Sequence, residues 1–295
     1  MANLALEDKL LDKSESRRGG GRDGGSSRRG GRGGRGGNPV SREVQVSKAL
    51  SRLLRHQAEN AGIRLDGEGY APLDKVLAWG SLKSLGVTFA EVQDSVSSNE
   101  KQRFHMKTNP ALDVAEGSTR PGDYLIRANQ GHSIKVESSA LLAPVSLEAG
   151  NVPPRVLHGT YFCFWAAIVA AGGLKPMGRN HVHCSVGTPE EGVVSGMRKD
   201  AELLIEVDVE RSLRDGVKWW LSDNGVVLTE GSAEGGVLGL EYFKRVTGRK
   251  VDVGVLWEDG VKGADLPEGI KMNVPMGKGG RGGRGGGRGG RGGRT

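Results

Sequence analysis

Apolar positions recur with helical spacing early in the foldable part of the chain. Val46, Leu50, Leu53, Leu54, Ala58 and Ala61 fall on one face of a 3.6-residue period and predict an amphipathic helix through "LSRLLRH". On that helix Arg55 and His56 lie on opposite flanks of the polar face, roughly 100° apart and outside the apolar stripe. "LDKVLAWGSLKSLG" and "TFAEVQDSVSSN" predict two further short helices, the second entered through Thr88 as an N-cap. "DGEGYAPLD" and "KQRFHMK" carry the turn residues and alternation of short strands or wings.

From about Asp123 the texture changes to short β-type runs: "DYLIRA", "HSIKVES", "VLHGTY", "HVHCS", "AELLIEVDV", "KWWLSDNGVVLTEG" and "VDVGVLW". The Asn224-Gly225 pair between alternating segments signals a hairpin, and one helix near Tyr161 to Ala171 interrupts the strands. The pattern predicts an α+β chain with a winged-helix-like lobe over 43–121. A strand-rich domain over 122–275 follows, the boundary lying in the turn-rich 110–122.

Composition qualifies this at the two ends. Of 295 residues 50 are glycine, concentrated in 17–37 and 277–295, where almost no side chain can join a core. Residues 1–42 and 276–295 are therefore expected to be disordered RGG-type tails, whose arginines suit contacts to RNA phosphates and bases. Residues 1–40 hold nine Lys or Arg against five Asp or Glu, and 276–295 hold six against none. The ends thus carry +4 and +6, which leaves −3 on 41–275 out of a total of +7. The basic pI belongs to the tails, and phosphate binding by the folded part needs a few placed arginines. The chain has no run of 18 apolar residues and its first residues do not resemble a signal peptide. Only Cys163 and Cys184 occur, with no C-x-x-C spacing. The expectation is a soluble intracellular protein, nuclear and/or cytoplasmic, without a membrane partner.

The candidate chemistry is rich in arginine and histidine. Arg103 in "NEKQRF", Arg127 and His132 in "IRANQGHS", His158 in "LHGT", and Arg179, His181 and His183 in "MGRNHVHCS" stand beside glycines or strand ends. In a strand, His181 and His183 share a face while Cys184 points away. No third ligand is at metal spacing, so hydrogen bonding is favoured over zinc and no metal is expected. "HGT" provides a glycine turn between a His and a hydroxyl, suited to ribose hydroxyls and equally to a plain hairpin turn. No G-x-S-x-G elbow, P-loop or H-E-x-x-H occurs, and the G-x-G-x-x-G matches in the tails lack a flanking strand and helix. Arginine in excess of acids points to handling phosphate.

Taken in order, "LSRLLRH", "GIRLDGEGYAPLDKVL", "NEKQRF", "IRANQGHSIKV", "LHGT", "GLKPMGRNHVHCS" and "NGVVLTEG" resemble the RNA 2′-phosphotransferase family from about Val44 to Leu256. The resemblance implies an N-terminal winged-helix RNA lobe and a C-terminal lobe with the ADP-ribosyltransferase fold. It implies an NAD-dependent transferase acting on RNA with an internal 2′-phosphate, spliced tRNA in particular. Nicotinamide would leave as an ADP-ribosylated RNA intermediate forms, and transesterification of that intermediate would yield 2′-hydroxyl RNA and ADP-ribose 1″,2″-cyclic phosphate. The family's catalytic set maps to Arg55, His56, Arg103 and Arg179. Its NAD contacts map to Gln130, Gly131, His132 and Ser133, to His158, Gly159 and Thr160, and to His181 and His183. A monomer is implied. Cys184 replaces a usual Leu, and the connection between Arg103 and Arg127 looks like an insertion. Two other readings stand beside it. A protein-modifying ADP-ribosyltransferase would draw a catalytic acid from Glu206 or Glu241, and an RNA-binding adaptor would work through its tails.

Overall fold

The computed structural model describes residues 41–273, a mixed α+β fold built on several antiparallel sheets. The expectation of disordered ends concerns residues outside that range except at Ser41 and Arg42, which cap and open the first helix and so belong to the folded part. Helix α1, Arg42–Arg52, starts where the Ser41 hydroxyl accepts from the Val44 amide. Its predicted stripe is buried: Val46, Leu50, Leu53, Leu54 and Ala58 pack with Val76, Leu82, Val92, Phe104 and Ile126 into a first core. Strand β1, Ala71–Pro72, leads into α2, Leu73–Ala78, and α3, Gly80–Ser84. Helix α4, Phe89–Ser97, opens on the expected Thr88 cap, which with Glu91 forms a reciprocal capping box.

Strands β2, Phe104–Thr108, and β3, Tyr124–Ala128, complete a three-stranded sheet in the order β1-β3-β2. A boundary between 121 and 122 would assign β3 to the second half, yet β3 is the middle strand of the first sheet. Ile126 and Ala128, two residues apart, bury into the first core. The chain leaves this sheet only after Ala128.

The stretch 132–138, expected as a strand from "HSIKVES", has no strand partner. Its backbone serves other purposes: the Ser133 and Ile134 amides donate to the Arg55 carbonyl (3.0 and 3.3 Å), and Asn180 takes the carbonyls of His132 and Ile134. Helix α5, Ser138–Leu141, follows.

The remainder supplies β4, Ala143–Val145; β5, Leu157–Thr160; α6, Phe162–Ala170; β6, Gly173–Leu174; and β7, Val182–Cys184. After these come β8, Leu203–Val207; α7, Val209–Arg214; β9, Trp219–Leu221; β10, Val227–Thr229; and β11, Leu238–Gly239. The last strands are β12, Phe243–Gly248; β13, Val255–Glu258; and β14, Val261–Lys262.

Two sheets, ordered β4-β9-β10-β7 and β14-β13-β12-β8-β5, bury Val182, Cys184 and Trp219 against Ile205, Phe243 and Val246 in one core. Strand β12 escaped the sequence pattern because a register shift between Phe243 and Arg245 spaces its buried Phe243 and Val246 three apart rather than two. The Asn224-Gly225 hairpin joins β9 and β10 as expected, with Gly225 at φ +75°. Among the described residues no helix is long and apolar enough to cross a membrane.

Candidate active site

The helix that carries Arg55 and His56 does not stay α-helical. At Leu53–Gln57 it widens into a π turn, and its end docks on 133–134 through the Arg55 carbonyl. A π turn advances each residue by a smaller angle than an α turn, and such turns are frequent at functional sites. The consequence corrects the sequence expectation of two solvated flanks: Arg55 is buried, 9% exposed, and only His56 is half-exposed.

Segment 129–134 ties the scattered candidates together. The Asn129 amide donates to the Arg103 carbonyl (2.9 Å), Ser133 and Ile134 hold the Arg55 end of the helix, and the Asn180 amide donates to the His132 carbonyl (2.9 Å) beside Arg179. The four proposed catalytic residues, drawn from three separate stretches of sequence, thereby line a single cleft of about 840 Å³ between the first core and the second. Its first wall carries Lys48, Arg52, Arg55, Lys101 and Arg103, with Trp79 near them. Its second carries Lys175, Arg179 and Arg198. These are eight cationic side chains, and no Asp or Glu is among the described residues that line the cleft. Burial lowers Arg103 to about 10, which leaves it charged at neutral pH. A surface of this kind, in a folded part with net −3, is built for a polyanion.

The histidine rings are fixed through backbone carbonyls. The His158 Nδ1–H donates to the His183 carbonyl and the His183 Nδ1–H to the His181 carbonyl, each at 2.9 Å. Burial, with Arg179 next in effect, pushes His183 well below its ordinary pKa, so its Nε2 carries a lone pair. The atom placed 2.8 Å from it is Gln130 Oε1, and because a neutral ring with its proton on Nδ1 offers only an acceptor there, the amide is assigned the flipped orientation with its NH2 towards the ring. His181 accepts from or donates to the Ser138 hydroxyl (2.9 Å), stacks edge-on against Trp220, and is lowered by burial against the opposing pull of Glu230. His56 is oriented from behind. The Ser133 hydroxyl reaches the Arg55 carbonyl (3.5 Å) and accepts from His56 Nδ1 (2.8 Å), making Nε2 the basic nitrogen of the neutral ring.

Not every proposed contact reaches the cleft. Gln130, Ser133, His158, Gly159, His181 and His183 line it; Gly131, His132 and Thr160 do not. Thr160 is buried in β5. Gly131, at φ +87°, packs against the Arg55 guanidinium, where a Cβ would stand 3.5 Å from Nε. His132, 2% exposed, sits behind that pair; burial first, then Arg55 and His56, push it down to about 3. At Gly159 the constraint is packing, since a Cβ would come within 2.5 Å of the Met197 side chain.

The long connection leaves the far end of the β2–β3 hairpin, beyond Thr108 and Tyr124, while Arg103 and Asn129 flank the near end. It closes on itself through Arg120–Asp123 and the Tyr124 hydroxyl donating to the Ser118 carbonyl, and so leaves the cleft geometry untouched. Sequence reasoning missed Lys48, Arg52, Trp79, Lys101, Lys175 and Arg198; Arg52, Lys101 and Lys175 stand inside the quoted motifs, but nothing local marks any of the six as facing the cleft. Glu206 pairs with Lys244 (3.1 Å), and neither it nor Glu241 lines the cleft. No group of three or more His, Cys, Asp or Glu suited to a metal ion occurs among the described residues.

Comparison with known proteins bears on this cleft directly. The model of the "RNA 2′-phosphotransferase, Tpt1 / KptA family" matches residues 41–231, which contain all thirteen candidate site residues. The tRNA 2′-phosphotransferase 1 of Danio rerio is 38% identical over 217 residues, 73% of this chain and 90% of that protein. That of Homo sapiens is 38% identical over 227 residues, 77% of this chain and 83% of the relative. The tRNA 2′-phosphotransferase of Saccharomyces cerevisiae is 38% identical over 192 residues, 64% and 79% of the two chains.

Proposed function

This chain belongs to the RNA 2′-phosphotransferase family, and from that premise we propose that its cleft removes the 2′-phosphate from spliced tRNA, with NAD as the acceptor. The observation that carries the reading is the cleft itself: eight cations from both halves of the fold and no acidic side chain in the described lining. A protein-modifying transferase that needs a cleft carboxylate fits this lining poorly. In this reading the first half is the winged-helix RNA lobe and the second the ADP-ribosyltransferase lobe. The RGG ends add nonspecific RNA contacts to a monomer.

The donor set suits a dinucleotide. Cations suit its diphosphate, and the uncharged Gln130, Ser133 and His158 suit ribose and amide groups. When bound, NAD supplies the electrophilic ribose carbon and the nicotinamide leaving group.

The chain's own residues do the rest. Arg55, Arg103 and Arg179 approach from three segments and grip the 2′-phosphate through charge-assisted hydrogen bonds, holding it in line and stabilising charge as its bonds rearrange. Burial of Arg55 fixes one guanidinium in advance of binding. His56, with Nδ1 held by Ser133, presents Nε2 for moving a proton between RNA oxygens. His183 fixes the Gln130 amide, which in turn orients the acceptor.

The test is to incubate the full chain with a short RNA bearing one internal 2′-phosphate, with and without NAD, and to follow RNA phosphate and nicotinamide release. Phosphate loss coupled to nicotinamide release is expected, with Arg179→Ala slowing it about 10²- to 10³-fold. Phosphate loss that proceeds without NAD, or NAD consumption that leaves the RNA phosphate in place, would refute the proposal.

A further inference from the structure

We propose that Asn224, in the hairpin turn of the second half, is a positioning residue for Arg103 in the first. The inference rests on the reading of Arg103 as a ligand of the 2′-phosphate.

Three consecutive carbonyls leading into Arg103 are held from outside. The Lys101 carbonyl accepts from Asn224 Nδ2 (2.9 Å) and from the Ser195 hydroxyl (3.3 Å). The Gln102 carbonyl accepts from Asn129 Nδ2 (2.7 Å), and the Arg103 carbonyl from the Asn129 amide (2.9 Å). Asn99 Oδ1 accepts from both the Lys101 amide (3.0 Å) and Arg103 Nη1 (3.1 Å).

Between these anchors Gln102 stands at φ +40°, in the left-handed region that disfavours a side chain. Such a conformation persists only where its surroundings over-determine it. Here the surroundings come from both halves of the fold, and the strained residue immediately precedes the arginine.

The same turn acts twice. Asp223 Oδ2 accepts from Arg127 Nη2 (2.6 Å), and Arg127 stands opposite His105 on the paired strands β3 and β2. Asn224 Oδ1 accepts from the Ser222 hydroxyl (2.8 Å), which aims its NH2 at Lys101. Two adjacent side chains of one turn therefore hold both strands at the end where Arg103 emerges. Because Arg179 belongs to the half that carries this turn, Asn224 sets the separation of two arginines that must grip one phosphate.

The experiment measures, without NAD, the affinity of the full chain for a short RNA with one internal 2′-phosphate and for the same RNA with a 2′-hydroxyl. Arg103→Ala, the reference, is expected to lower the preference for the phosphorylated RNA about 10- to 100-fold. Asn224→Gly removes the side chain, and Asn224→Ser keeps a polar turn residue too short to reach the Lys101 carbonyl; neither adds a charge to the cleft, which Asn224 itself lines. Both residues are accepted in such turns.

Each variant is expected to lose most of the preference that Arg103→Ala loses, with 2′-hydroxyl affinity and melting temperature unchanged, and Asn224→Gly with Arg103→Ala should be no worse than Arg103→Ala alone. A merely structural role would instead lower melting temperature and both affinities together. Parental preference in both Asn224 variants, or losses that add to that of Arg103→Ala, would overturn the proposal. Parental preference in Arg103→Ala would overturn the reading of Arg103 and the proposal with it.

Discussion

Replacing His132 with Gln is expected to relieve an acid sensitivity built into the site. The imidazole is 2% exposed, its Nε2 makes no hydrogen bond to the described residues, and burial with Arg55 and His56 pushes it down to about 3 from an ordinary 6.5. Its folded pKa lies below the unfolded one, so below about 6.5 the unfolded chain binds a proton that the folded chain refuses. Stability must then fall as pH falls, by about 1.4 kcal/mol per unit, until the folded ring also titrates. Between pH 7 and pH 5 this single group removes about 2 kcal/mol, a large share of a typical domain's margin. The window is clean for histidine: Glu91 and Glu190, held at about 2 chiefly by Arg42 and Arg249, change stability mainly below their ordinary 4.5. Urea unfolding at pH 7 and pH 5, extrapolated to water, gives the two free energies for the parent and for His132→Gln. Gln costs packing at pH 7 but carries no proton, so the pH 7 to 5 loss should shrink by about 2 kcal/mol. An equal loss in the variant would show that the folded state accepts the proton, and the buried-neutral assignment would be wrong.

Thr88→Ala removes one arm of the capping box at α4 and is expected to cost about 1 kcal/mol in urea unfolding, with catalysis unchanged. Gly196→Ala, at φ +84° on the cleft wall, would place a Cβ 2.5 Å from the Cys184 carbonyl oxygen. It should destabilise by about 3 kcal/mol or more, seen as a lowered urea midpoint. Arg52→Ala, exposed on α1 at the cleft edge, should weaken RNA binding similarly for 2′-phosphate and 2′-hydroxyl RNA. In a salt titration it should reduce the slope of log affinity against log salt by about one. An unchanged slope would take Arg52 off the path of the RNA backbone.

The sequence by itself determined most of the elements. The stripe from Val46 to Ala58, the Thr88 cap and the Asn224-Gly225 hairpin are local patterns, and local patterns fix local structure through periodicity, capping and turn geometry. It also singled out each of the thirteen candidate residues, ten of which the fold brings into one cleft. Where a tertiary contact overrode the local signal, the sequence misled. Segment 132–138 alternates like a strand but spends its backbone on the end of a helix, and β12 hides its period in a bulge.

Tertiary structure alone decided the electrostatics. Charge summed along the folded part is negative, whereas the field in the cleft depends on where side chains converge, and Lys48, Lys101, Lys175 and Arg198 show no sign of convergence in one dimension. It alone buried Arg55, through a π turn that helical periodicity at 3.6 residues cannot foresee. It alone joined Asn224 to the backbone of Lys101 across 123 positions of sequence, because a hydrogen bond is fixed by separation in space and leaves no periodic trace along the chain.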